Sequence, residues 1–74
     1  MKKEFQELKN LYLMAQGRVK GCYLSQMREN LKKRNGNADL YTNHYTHQGK
    51  TINIDNCDYE ELLEIDNDMV ACGK

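Results

Sequence analysis

Two histidines, three cysteines and eleven carboxylates are the side chains of this 74-residue chain that could bind a metal or move a proton. His44 and His47 stand three apart in a stretch rich in β-formers, where such residues point to opposite faces of a strand. No Cys-x-x-Cys pair completes a tetrahedral site, so zinc is not expected. Asp55, Asp58, Glu60, Glu61 and Glu64 crowd together, but an EF-hand loop needs alternating oxygen ligands and a glycine at its sixth position, and that register is missing. Paired carboxylates can also act as general acid and base. For Asp58 and Glu61 a plainer use is at hand, because an Asp with a Glu three residues on, just before an apolar run, caps a helix. The chain has no glycine-rich phosphate loop and no nucleophile elbow, and it is too short to build a closed, water-excluding pocket with ease. The expectation is a protein that is not an enzyme and holds neither cofactor nor metal.

The elements that must carry these residues follow from spacing. Phe5, Leu8, Leu11, Tyr12 and Ala15 recur at three and four positions, which predicts a helix over Lys3 to Ala15. Gly17 and Gly21 each cost about 1 kcal/mol in a helix interior, so a joint is expected over residues 16–21, with one long bent helix as the alternative. A second helix from Cys22 to Lys33, carrying Leu24, Met27 and Leu31, ends at Lys32-Lys33-Arg34. Cations suit the negative end of the helix dipole, and Asn35-Gly36 suits a left-handed closing residue. The run Leu40 to Thr46, a turn at Gln48-Gly49 and the alternation Thr51-Ile52-Asn53-Ile54 predict a β-hairpin with Ile52 and Ile54 on its buried face. A third helix starts at Tyr59, capped by Asp58 and Glu61 and stapled by Cys57 against Leu62. Asp66-Asn67-Asp68 is a candidate interruption.

Charge is sorted along this order. Up to Asn37 nine cations face three acids, for +6; from Ala38 eight acids face Lys50 and Lys74, for −6. A dipole of that kind either folds back on itself or offers opposite faces to partners. Length allows one small domain, helped by a partner or by pairing as a homodimer. The three cysteines do not make a secreted disulfide framework. Cys22 and Cys57 read as small core residues, and Cys72 near the terminus reads as open to oxidation. There is no signal peptide and no membrane span, so the expected location is cytoplasmic.

The architecture is therefore α+β: two N-terminal helices, or one bent long helix, on a two-stranded antiparallel hairpin, then a short acidic helix. Its core should join Phe5, Leu8, Tyr12, Val19, Met27, Leu31, Leu40, Ile52, Ile54, Leu62 and Leu63. The function expected is binding to a larger protein, which it would modulate or inhibit. Tyr41, Tyr45 and Tyr59 are the expected anchors and Asp58, Glu60, Glu61 and Glu64 the expected electrostatic contacts. In general character the short, lysine- and asparagine-rich chain is similar to the small accessory proteins of bacteriophages and mobile elements. A second resemblance runs from about Leu8 to Asp55, where helix, joint, basic helix and hairpin resemble a winged helix. It implies nucleic-acid binding through Arg28, Lys32, Lys33 and Arg34, with Cys22, Met27 and Leu31 buried behind them.

Overall fold

The computed structural model describes residues 4–36 and 40–72. In order they form α1 (Phe5–Met14), α2 (Arg18–Asn35), β1 (His44–His47), β2 (Lys50–Asn53), a 3-10 turn (Ile54–Asn56) and α3 (Tyr59–Cys72). The arrangement is α+β, as the sequence predicts. The side chain of Cys72 lies outside the description, and with it the expectation that this thiol is exposed.

The break between α1 and α2 is sharper and earlier than expected. Ala15 is extended and its N–H reaches back to the carbonyls of Leu11 and Tyr12, while Gly17 takes a φ of 63° that costs glycine little. Gly21 is no part of the joint. It lies inside α2, where no atom stands within 4 Å of the place its Cβ would occupy. The helix thus starts at Arg18 instead of Cys22, and its 18 residues make it the element against which α1, α3 and the 3-10 turn all pack.

At the other end of α2, Lys32, Lys33 and Arg34 do occupy the last turn. The closing residue is not left-handed: Gly36 has a φ of −105°. Glycine is needed for a different reason, since a Cβ there would lie 2.3 Å from the Leu40 carbonyl oxygen and 2.7 Å from Thr42 Oγ1. The carbonyl of Lys32 accepts the N–H groups of both Gly36 and Thr42, and Asn35 Nδ2 donates to the His44 carbonyl at 2.6 Å. The approach to the hairpin and its first residue are therefore tied to the end of the helix, by a backbone bond from Thr42 and by the Asn35 side chain.

Within the hairpin His44 pairs with Asn53 and His47 with Lys50. Gln48 and Gly49 both have positive φ, 52° and 80°, as a two-residue turn matching the twist of its strands requires. The ladder adds a bond from Ile54 N–H to the Asn43 carbonyl. The chain then leaves the strand for the 3-10 turn, where the Asn53 side chain accepts the N–H of Asp55.

One core forms from Phe5, Leu8, Met27, Leu31, Ile54, Cys57, Leu62 and Ile65, flanked by Tyr12, Tyr23, Leu24, Tyr45, Ile52, Tyr59, Leu63 and Met69. Three expected core positions are outside it. Val19, in the first turn of α2 and past the end of α1, is 51% exposed; Leu40, whose carbonyl lies over Gly36, is 64% exposed; and Cys22 faces solvent. Asp66-Asn67-Asp68 does not interrupt α3, which places Ile65 in the core between two acidic neighbours.

Candidate protein-interaction surface

The acidic end of α3 is fixed by its own residues. Asp58 Oδ1 accepts the N–H of Glu61 at 3.0 Å, and Glu61 Oε1 accepts the N–H of Asp58 at 2.9 Å, the reciprocal capping pair expected from their spacing. Cys57 and Leu62, on either side, are both buried. Burial, then the charge of Glu61, raises the Cys57 thiol above its ordinary pKa, which favours the neutral form of a thiol packed in the core. Asp58 and Glu61 are thus occupied in holding the helix start. Glu60 and Glu64 face solvent and make no ion pair among the described residues.

The candidate nucleic-acid residues meet a different fate. Arg28 donates from Nε and Nη2 to the carbonyl of Cys57, at 3.0 and 2.7 Å. Lys32 Nζ lies 2.9 Å from Asp55, and Arg34 Nη2 lies 2.7 Å from Asp66 with its guanidinium over the Phe5 ring. Three of the four cations are therefore turned onto the acidic half of the same molecule. Of the two outcomes open to the charge dipole, folding back has taken the C-terminal half of α2. Each pair is partly exposed and worth about 0–1 kcal/mol, so the pairs orient elements that apolar contacts hold. Arg34 and Asp66 also line an open groove of about 400 Å³ with Phe5, Asn30 and Val70.

Of the three tyrosines, only Tyr41 is exposed, at 45%. Tyr59 stacks on Tyr12 with ring centroids 4.4 Å apart, and Lys20 Nζ sits 4.6 Å from the centroid of Tyr12. Burial raises the Tyr59 hydroxyl pKa, with a smaller contribution from Tyr12. Tyr45 is half-buried and donates its hydroxyl to Asp68, whose carboxylate also lies 3.5 Å from His47 Nδ1. The Tyr45 and His47 contacts join the hairpin to α3 and the Tyr12 stack joins α1 to α3, leaving Tyr45 and Tyr59 half-buried against the core.

The same contacts create an acid sensitivity. The hydrogen bond from Tyr45, then His47, holds Asp68 below the ordinary 3.8, and the bond from Lys32 does the same for Asp55. A carboxyl whose folded pKa is depressed stabilises the native state above its unfolded pKa, and that contribution disappears as pH falls through the folded value. Thermal midpoints should therefore hold steady above about pH 5 and decline below about pH 4. In Asp68→Asn the plateau should be lower and the acid decline shallower; an unchanged acid limb would show that the carboxylate does not sense folding.

A feature absent from the sequence reading lies at the other end of the molecule. Leu13 and Met14, in the last turn of α1, are 58% and 78% exposed, next in the chain to the joint that leads to Val19. A signal was present, because both residues fall off the stripe traced by Phe5, Leu8, Tyr12 and Ala15. Comparison of the chain with protein-family models, with curated proteins and with solved structures yields no match.

Proposed function

We propose that this protein is a non-enzymatic interaction module that binds a larger protein and modulates or inhibits it, working in the cytoplasm, in the manner of small accessory proteins of bacteriophages. The observation that carries the reading is the unequal treatment of charge. Arg28, Lys32 and Arg34 are engaged by internal partners, whereas Glu60 and Glu64 face solvent from a capped helix and make no ion pair among the described residues. What remains for a partner is a fixed pair of carboxylates one helical turn apart, with Tyr59 at their border and Tyr41 exposed on the hairpin approach. Charges presented on a pre-ordered element favour specificity and association rate at little ordering cost. Nucleic-acid binding has less support, because phosphate would have to compete with Asp55 and Asp66 for the same cations.

Affinity capture from nuclease-treated lysate tests the reading. The wild-type chain should retain a protein partner, and Glu60→Lys with Glu64→Lys should reduce its recovery at least about tenfold, a loss of about 1.4 kcal/mol or more. Glu61 is left in place because its carboxylate caps α3. Equal recovery by the lysine variant would remove the acidic face from the account.

A further inference from the structure

The corner between α1 and α2 has a chemistry of its own. Between Glu7 and Glu29 the chain has no acidic residue, and this stretch holds Lys9, Arg18 and Lys20 around the exposed Leu13, Met14 and Val19. Unlike Lys32 and Arg34, these three cations make no ion pair among the described residues. The corner is also rigidly built, by the N–H of Ala15 bonding back into α1, by the positive φ of Gly17 and by Lys20 resting on Tyr12. Three large apolar side chains held in solvent at one end of a helical hairpin are an unusual expense for a chain with so small a core.

Resting on the interaction reading above, we infer that this corner is the apolar anchor for the partner, and that it receives an amphipathic helix with acidic flanks. Methionine and leucine side by side give an adaptable surface of the kind that accepts helix anchors at i, i+3, i+4 and i+7. The surrounding cations complement carboxylates on either side of such an apolar stripe. A second copy of the chain fits less well. Pairing corner on corner would oppose like charges. An anionic membrane or a duplex fits less well too. The Tyr12–Tyr59 stack brings the start of α3 next to the corner, so Glu60 and Glu64 would be carried toward a uniformly negative surface. A protein can present both signs, opposing the corner with acids and the α3 face with bases.

The test uses the isotope-labelled full chain and a short synthetic amphipathic helix with a leucine stripe flanked by glutamates. Binding should shift amide resonances between Lys9 and Tyr23. The double substitution Leu13→Ser, Met14→Ser should weaken it about tenfold or more while leaving the melting temperature unchanged, since both side chains are exposed. Equal binding of the same helix with lysine flanks, stronger binding to phosphatidylglycerol vesicles, or shifts confined to other residues would each overturn the inference. In the affinity capture, a partner lost on Glu60→Lys, Glu64→Lys but kept by the double serine variant would overturn the corner alone and leave the acidic face standing. Loss with the serine variant supports the corner.

Discussion

Truncating Leu62 to alanine is expected to cost about 3 kcal/mol, within the 2–5 kcal/mol range for a large aliphatic side chain removed from a packed site. Leu62 has no exposed surface and stands where α3 meets α2 and the 3-10 turn. At about 0.05–0.15 kcal/mol per residue a chain of this length has roughly 4–11 kcal/mol in all. The variant should therefore lose a large part of its stability and melt many degrees lower. Met27→Ala, equally buried in α2, should behave alike. Leu13→Ala removes the same atoms as Leu62→Ala from a side chain in solvent and should change stability by less than about 0.5 kcal/mol. Urea titrations followed by circular dichroism measure all three. Similar losses at Leu13 and Leu62 would mean that the corner is part of the core.

Alanine in place of glycine should have opposite signs at Gly36, just past the end of α2, and at Gly21 within it. At Gly36 the added methyl group would stand within 2.3 Å of a backbone oxygen, which a side-chain rotation cannot relieve. Moving it aside breaks the double acceptance at the Lys32 carbonyl and loosens the hairpin, for a loss of about 2–3 kcal/mol. At Gly21 the methyl group meets nothing, and the helix should gain about 1 kcal/mol. Chemical denaturation of the two single variants decides the matter. A gain at Gly36 would show that the Leu40 segment does not lie over the helix end.

The difference between these glycines also explains what the sequence could and could not reveal. Interactions spanning three or four residues were legible: the Asp58–Glu61 capping pair, the start of α3 at Tyr59, the turn at Gln48-Gly49 and the cations in the last turn of α2. Composition alone did not distinguish Gly17, where the backbone needs a positive φ, from Gly21, where it does not. Gly36 reads as a helix terminator, but its cause, a carbonyl four residues on, depends on the path of the chain. Periodicity shows which residues share a stripe without showing how far the covering element reaches, so it places Val19 in a core that ends short of it. The acids around Ile65 hide its place in the core, although Leu62, Ile65 and Met69 keep helical spacing.

For the candidate surface the limit was distance along the chain. Arg28 meets Cys57 across 29 residues and Arg34 meets Asp66 across 32. No local pattern encodes such pairings, and the sign segregation indicated only that some of them should exist. With the Lys32–Asp55 pair they turn three cations that resemble a phosphate-binding row into supports for the 3-10 turn and for α3 with the residue before its cap, while Tyr45 and Tyr59 pack half-buried against the core. Glu60 and Glu64, which make no ion pair among the described residues, are with the exposed Tyr41 the part of the expected contact set that faces outward.

Everything proposed for function depends on Arg28, Lys32 and Arg34 of α2 being engaged from within. The most direct measurement is a fluorescence-anisotropy titration of a labelled random DNA duplex with the wild-type chain at low salt, repeated as salt is raised. With Arg28, Lys32 and Arg34 engaged internally and Glu60 and Glu64 exposed, no saturable binding is expected even at low salt. Tight binding that weakens steeply with salt and is abolished by Arg28→Ala, Lys32→Ala, Arg34→Ala would contradict the account and return α2 to nucleic acid.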